Sequence, residues 1–408
     1  MTIGKGKSME EKKEGAYSGK IWMAVFTGNS GLTHYSYCLT KALHAAGCDI
    51  ALVTNRNYEL DFLHSAFPVV KVFGRSRSYP AHILNYWRQF RAEKPNIVHY
   101  QGPLKFPLLE LLLLKLQKRK GAVLVYTAHD WIPHKQRPWH KRLYRIYYRL
   151  FSRIIVHSET GRRFMVEHMC VDPGRLAVVP QGYYDFFNFD QKLTDREARR
   201  QLGLDDERYW YLFFGHIAPY KGLDIAIEAL AKTMAGSAPG GEKGEGRRLG
   251  LLVAGEPDSS GMEIYEERIR ELGLEQVVSV HASHIPVKEV QLYLKAADAL
   301  VLPYRESSTS AVVHLAMSFG KLVITSDVGA LAEMVRQTSA GLVFPVGDTE
   351  ALAAAMIRLA DDQEIRRQLE QDRDKADRMY SWDNIAIETM AVYRATDVTA
   401  TRQIPKNG

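Results

Sequence analysis

Four short segments place reactive side chains just past apolar runs, where strand ends would hold them toward a ligand. The first is Thr27-Gly28-Asn29-Ser30-Gly31-Leu32-Thr33. Its glycines let backbone approach a ligand closely, and the N-terminus of the next helix favours an anion. The pattern is not G-x-G-x-x-G, so a nicotinamide cofactor is poorly supported. A tight strand-to-helix turn without a ligand accounts for it equally well. The second segment is Tyr126-Thr127-Ala128-His129-Asp130. It delivers an imidazole and a carboxylate to a strand end. A histidine alone is more often a satisfied structural residue; the strand end favours hydrogen bonding of His129 to a sugar hydroxyl, with Asp130 orienting it or capping the next segment.

The third segment runs Phe213-Phe214-Gly215-His216-Ile217-Ala218-Pro219-Tyr220-Lys221-Gly222. A lysine at a helix start offers a compact ammonium that suits a diphosphate. An exposed, solvated lysine is the competing account. The fourth runs Val301-Leu302-Pro303-Tyr304-Arg305-Glu306, then Ser307-Ser308-Thr309-Ser310, then a helix from about Ala311. The hydroxyl run can cap that helix, whose free N–H groups suit phosphate. Glu306 is placed to accept hydrogen bonds from sugar hydroxyls; pairing with Arg305 would instead make it structural. Phosphate-type and sugar-type features coincide here, which favours function.

These segments need a scaffold that presents strand ends. Short apolar runs alternate with helical patterns along the chain. Strands are expected at 20–27, 49–54, 69–73, 96–101, 122–128, 153–157 and 176–180, then at 209–215, 249–254, 277–281, 298–303, 321–326 and 341–345. Amphipathic helices fit between most of them, as at 33–46, 222–234, 261–272 and 349–361. Continuously apolar strands alternating with helices mean buried parallel sheets. At 408 residues, two domains are the default. The expected division is a flexible tail at 1–19, a first domain at 20–190, a second at 191–375, and a returning helix and tail at 376–408. The fold class is α/β, with two doubly wound, Rossmann-like domains facing across a cleft.

Composition narrows the rest. Apolar content of 46% and charged content of 25% are those of a soluble globular chain. No signal peptide is evident. The nearest candidate span, Phe106 to Leu116, is short and interrupted by Glu110 and Lys115. Cys38, Cys48 and Cys170 form no metal spacing and no disulfide framework, which fits a cytoplasmic location. The net charge is +7, and Lys135 to Arg153 holds seven Lys/Arg and no Asp/Glu. That excess suggests an anionic partner. The same stretch carries Trp139, Tyr144, Tyr147, Tyr148 and Phe151, and 108–120 adds an apolar, basic helix. An anionic membrane surface, peripheral on the inner face of the plasma membrane, and a core-packed helix with a solvated basic face both fit. Nucleic acid is disfavoured, as no recognition motif accompanies the charge.

At the four segments the sequence resembles the GT-B retaining glycosyltransferases of family 4, the group 1 glycosyl transferases. The match includes FFGHIAPYKGLDIAIEAL, LLVAGE, the run from AADALVLPYRESS to SFGKLVITSDVGALAEMV, AGLVFPVGDTEALAAAM, and the closing YSWDNIAIETMAVY. The resemblance implies a nucleotide-sugar donor held by the second domain and an acceptor, a glycan, lipid-linked or small molecule, held mainly by the first. It implies that Lys221 contacts the donor diphosphate, that Glu306 and His129 face the donor sugar, and that Gly31 lies beside the phosphates. Glu333, after the Gly329-Ala330 turn, matches a glutamate of structural or other role. Two positions depart from the pattern. His216 stands where the family usually has arginine, and His314 or Leu315 stands where a second glutamate is usual.

The implied chemistry is glycosyl transfer with retention, without a required metal or cofactor. Lys221, the Ser307–Ser310 helix start and the Gly31 loop would stabilise the departing diphosphate. A metal-bridged route would want an Asp-x-Asp at a strand end, whereas the triplet Asp372-Arg373-Asp374 lies in a charged helical stretch. The alternative function is a non-catalytic sugar-nucleotide-binding or scaffold relative.

Overall fold

The structure is a computed structural model that describes residues 16–74, 78–102, 106–131, 140–235, 248–306 and 311–401. It divides into two compact units, one of residues 1–182 with 379–408 and one of residues 183–378.

The first unit holds seven strands: β1 (Ile21–Ala24), β2 (Ile50–Asn55), β3 (Val69–Phe73), β4 (Ile97–Tyr100), β5 (Val123–Thr127), β6 (Arg153–Val156) and β7 (Leu176–Val178). They form one parallel sheet in the order β3-β2-β1-β4-β5-β6-β7. Helices α1 (Gly31–Ala45), α2 (Tyr79–Glu93), α3 (Pro107–Arg119), α4 (His140–Tyr148) and α5 (Glu159–Glu167) follow their strands. Strands such as IWMA and IVHY are buried along their whole length, as a sheet covered on both faces requires.

The second unit opens with α6 (Asp195–Gln201), whose Thr194 and Glu197 form a capping box. Its sheet contains β8 (Tyr209–Phe214), β9 (Leu249–Ala254), β10 (Val278–His281), β11 (Ala299–Leu302), β12 (Leu322–Ser326) and β13 (Gly341–Phe344), in the order β10-β9-β8-β11-β12-β13. Between them run α7 (Leu223–Ala235), α8 (Glu263–Glu271), α9 (Val290–Ala296), α10 (Ala311–Ser318) and α11 (Gly329–Thr338), and α12 (Thr349–Asp361) follows β13. Helix α13 (Gln363–Met379) follows without a strand and contains the Asp372-Arg373-Asp374 triplet. The buried Lys295 ammonium donates to the Asp190 and Leu193 carbonyls at 2.6 and 2.8 Å, anchoring the irregular entry to this unit.

The last helix, α14 (Trp382–Thr401), belongs to the first unit and packs on α1. The Tyr393 hydroxyl meets His99 Nδ1 at 2.7 Å, and the Trp382 indole lies flush on Gly182, where an added Cβ would stand 2.6 Å from it.

All thirteen expected strands are present, with some ends trimmed where the chain leaves the ladder. Of the two accounts of the basic, aromatic stretch, the described part fits the core-packed helix. Tyr144, Tyr147, Tyr148 and Phe151 are buried in the first core rather than forming a lipid-facing band, while Lys141, Arg142 and Arg149 are not part of that core. Aromatic area is worth more in a packed core than in water, so α4 turns that face inward. Trp139, Lys135 and Arg137 lie outside the described residues. Among the described residues, no helix is long and apolar enough to cross a membrane.

Candidate functional site

In the second unit, the strand order reverses between β8 and β11. Open parallel sheets bind ligands beyond the carboxyl ends at such a reversal. Two of the candidate segments leave the sheet there, from adjacent strands. After β8, the chain passes Gly215 and His216 into a tight turn at Pro219–Lys221. Gly222 then adopts φ +72°, and a Cβ there would stand 2.1 Å from the Pro303 carbonyl oxygen. Only glycine permits that approach, which presses the Lys221 turn against the end of β11.

Arg305 locks the same junction. Its backbone N–H donates to the Tyr220 carbonyl at 2.7 Å, and Nη1 donates to the Pro219 carbonyl at 2.8 Å and to Asp224 Oδ1 at 2.9 Å. The guanidinium is therefore committed to Asp224, not to Glu306. Glu306 is exposed at the loop end and has no ion-pair partner among the described residues.

Lys221 is not a solvated surface lysine. It is 8% exposed, with Nζ 5.3 Å from the centroid of the buried Tyr304 ring. On its other side an added Cβ at Gly215 would be 3.2 Å from Nζ. Among the described residues, the ammonium has no carboxylate and no hydrogen-bond acceptor. A buried charge left in this way is costly, and an anionic ligand would offset the cost. The Tyr304 hydroxyl beside it is also buried without a partner among the described residues. His216 is exposed next to Gly215. Ser307, Ser308, Thr309 and Ser310 lie outside the described residues; α10 begins just after them. His314 and Leu315 are both buried within α10, and neither is a carboxylate. Glu333 is half-buried in α11 and accepts from Gln337 Nε2 at 3.3 Å.

In the first unit, the reversal falls between β1 and β4. Gly31 opens α1 just past β1. Its N-cap, Ser30, makes no side-chain bond to the helix backbone. Instead Ser30 Oγ meets Thr27 Oγ1 at 2.8 Å and Thr33 Oγ1 at 3.4 Å. The loop is tied from behind by Asn55 Nδ2 to the Phe26 carbonyl and Thr54 Oγ1 to the Thr27 carbonyl, both at 3.1 Å. The first-turn N–H groups of α1 thus keep their capacity for an anion.

His129 sits past β5 and is 8% exposed. Tyr35, one turn into α1, packs edge-on against it with ring centroids 4.6 Å apart. So the unit brings the Gly31 helix and His129 together. His129 Nε2 lies 2.9 Å from Gln101 Oε1, just past β4, and Nδ1 lies 3.2 Å from Nε2 of His157, just past β6. His157 Nδ1 reaches the Val179 carbonyl at 3.0 Å. Burial pushes all three imidazoles down: His99 to about 3, His157 to about 4, and His129 well below its ordinary range, with the neighbouring histidines adding to the effect at His99 and His129. These rings are neutral near pH 7.

The family model "Glycosyl transferases group 1" matches residues 194–375, and "Glycosyltransferase Family 4" matches residues 29–184. The chain belongs to the group 1, family 4 glycosyl transferases. Among curated relatives, it is 29% identical over 259 residues to a D-inositol 3-phosphate glycosyltransferase of Corynebacterium efficiens, covering 62% of this chain and 59% of that protein. It is 31% identical over 252 residues to the protein of that name from Actinosynnema mirum, covering 60% and 58%. The matched region thus spans less than two thirds of these relatives. Among solved structures, sucrose-phosphate synthase from Thermosynechococcus elongatus aligns with a TM-score of 0.71 at 20% identity, covering 93% of this chain and 100% of that one. Anabaena HepE in complex with UDP-glucose aligns with a TM-score of 0.72 at 16% identity, covering 93% and 100%. The fold of this family member is GT-B, built of two Rossmann-like domains.

Gln101, His157, Tyr304 and Asp224 contact or adjoin His129 and Lys221 but are not among the residues singled out from the sequence. Gln101 and His157 lie just past the ends of the strands on either side of β5, each 28 residues from His129, and that spacing was the available signal.

Proposed function

We propose that the chain transfers a sugar from a nucleotide-sugar donor to an acceptor hydroxyl, with retention at the anomeric carbon and without a required metal. The observation that carries this is Lys221: a buried ammonium without a protein counter-ion among the described residues, at the strand-order reversal of the second unit. It would take the donor diphosphate and stabilise the charge that builds on it as the glycosidic bond breaks. By the family resemblance, Ser307 to Ser310 and the N-terminus of α1 at Gly31 would be further anion donors. Exposed Glu306 and the neutral imidazole of His129 would hold sugar hydroxyls and fix the sugar's orientation. The acceptor hydroxyl attacks from the leaving-group face, and a phosphate oxygen takes its proton.

UDP-sugars are the first donors to assay, given the HepE complex, and a phosphorylated polyol is the first acceptor class, given the names of the curated relatives. A thermal-shift screen against UDP-, GDP-, ADP- and dTDP-sugars reads donor binding directly, because a ligand of the native state raises apparent stability. Acceptor-dependent nucleotide release, with the product's anomeric configuration read by NMR, then tests transfer and retention. No shift with any donor sinks the reading.

A second reading, a sugar-nucleotide-binding scaffold, is favoured by His216 at the usual arginine position and by the buried His314 and Leu315. Donor binding without transfer or hydrolysis across the panel would establish it.

A further inference from the structure

Three histidines and one glutamine at the strand ends of the first unit form a single hydrogen-bond chain. His157 Nδ1 faces the Val179 carbonyl at 3.0 Å. A carbonyl only accepts, so this nitrogen carries a proton. His157 Nε2 faces His129 Nδ1 at 3.2 Å, and His129 Nε2 faces the Gln101 amide at 2.9 Å. The other arm of that amide faces His99 Nε2 at 3.1 Å and the Met23 thioether Sδ at 2.9 Å. His99 completes the chain, with Nε2 2.7 Å from the Thr127 hydroxyl and Nδ1 2.7 Å from the Tyr393 hydroxyl.

Counting protons separates two states. With the Gln101 oxygen toward His129, acceptors close both ends of the His157–His129 pair. Three hydrogen bonds then need three N–H groups, and two rings supply three only as an imidazolium pair with one positive charge. With the amide turned over, its NH₂ donates to His129 Nε2. Two neutral rings then suffice: His157 donates from Nδ1 to Val179, and His129 donates from Nδ1 to His157. The Gln101 oxygen and Thr127 hydroxyl accept from His99 Nε2–H, and the Tyr393 hydroxyl donates to His99 Nδ1. The two amide orientations have the same shape, and turning it over gives up the donation to Met23 Sδ, a weak acceptor, to avoid a buried imidazolium.

The surroundings favour the neutral state. Among the described residues, the groups packed on the pair include Tyr35 from α1, Gln101 and His99 from the end of β4, and Tyr393 from α14 beyond His99. None of these is a carboxylate. Asp130, next along the chain, acts on Tyr126, Tyr144 and Tyr148. Burial disfavours a charge on either ring.

We propose that Gln101 and His157 are positioning residues that hold His129 as the neutral Nδ1–H tautomer, with Nε2 kept as a hydrogen-bond acceptor for a donor-sugar hydroxyl. The hydroxyl replaces the Gln101 amide as the donor to Nε2. The sugar contact rests on the function proposed above; the tautomer does not.

Long-range ¹H–¹⁵N spectra of full-length protein with ¹⁵N-labelled imidazoles read the tautomers directly. Near pH 7, His129 and His157 are expected as Nδ1–H and His99 as Nε2–H. An imidazolium or an Nε2–H tautomer at His129 overturns the assignment. Gln101→Glu puts an acceptor-only group at Nε2 and should force a proton onto it. UDP-glucose affinity should then fall roughly tenfold while UDP affinity stays within about twofold. His157→Gln, whose amide can accept from His129 and donate to Val179, should keep the Nδ1–H tautomer and the UDP-glucose affinity. Unchanged UDP-glucose binding in a folded Gln101→Glu variant with a switched tautomer overturns the acceptor role. A wild-type chain that binds neither UDP nor UDP-glucose overturns the donor reading and the sugar contact together, while the spectra still decide the tautomer.

Discussion

The Arg305 guanidinium lies on the Asp224 carboxylate, with Nη1 2.9 Å from Oδ1, and so ties the loop after β11 to the first turn of α7. Lys221 precedes that turn and Glu306 follows Arg305 directly. One ion pair therefore sets the spacing of the two residues proposed to hold the donor. Both partners are about two-fifths exposed, so the pair adds little to stability. Asp224→Asn should shift unfolding free energy by less than about 1 kcal/mol. Turnover should still fall roughly tenfold, because positioning is lost rather than fold. Denaturant titration alongside steady-state rates checks both; an unchanged rate would show that the loop does not need the tie.

Lys221→Met removes a buried ammonium that lacks a protein counter-ion among the described residues and keeps much of its volume. Apparent stability without ligand should hold or rise, since an uncompensated charge is relieved. UDP affinity and turnover should each drop, turnover by about 10²-fold or more. Lys221→Arg should not rescue, because Nζ is held between Tyr304 and the backbone at Gly215, too closely for a guanidinium fork. Calorimetry with UDP is the decisive measurement.

Glu306→Gln tests the sugar side separately. Glu306 is exposed and is not paired with Arg305, so stability should change by no more than about 0.5 kcal/mol. Binding of free UDP should be retained while turnover falls by about 10²-fold. Loss of UDP binding would move Glu306 to the nucleotide side.

Acid should destabilise the first unit through its histidines. Each is neutral in the folded chain and takes a proton on unfolding below its ordinary value of 6.5. The unfolded state therefore binds more protons as pH drops below that value, and stability falls with it. The slope is at most ~1.4 kcal/mol per pH unit for each histidine. It ends for His157 and His99 as their folded forms titrate, at about 4 and about 3. Above pH 6.5 these groups add no pH dependence. Denaturation midpoints between about pH 7.5 and 5 should show this slope, and His157→Gln should reduce it by one proton's worth; an unaltered slope in that variant would exclude His157 as a contributor.

Gly222→Ala should cost about 2 kcal/mol or more, since φ is +72° and the new Cβ would meet the Pro303 carbonyl at 2.1 Å. The same substitution at Gly203, also left-handed but with open space around it, should cost about 1 kcal/mol. Equal losses at the two sites would deny that Gly222 is held by close approach.

The strand pattern and the two-unit α/β architecture were legible in the sequence, as was the placement of His129, Lys221 and Glu306 just past strand ends. Runs such as YWYLFF and LGLLVA are apolar on both faces and bounded by turn residues, and that signal is local in the chain. Residue type was legible too: a lysine after a glycine turn and a glutamate after an apolar run each announce their chemistry. What these side chains touch was not. Arg305 is adjacent to Glu306 in sequence yet pairs with Asp224, 81 residues away. Gln101 and His157 each stand 28 residues from His129, one strand-helix repeat to either side. Only the lateral order β4-β5-β6 sets those three side by side. The aromatic face of α4 likewise could have met lipid or core, and packing against β5 and β6 decided for core. Hydrophobic period is written in neighbouring residues, whereas the pairing of polar side chains depends on which strands become neighbours. The chain by itself therefore determined which reactive groups it carries, and the folded sheets decided which partners hold each group and which lysine is left without one among the described residues.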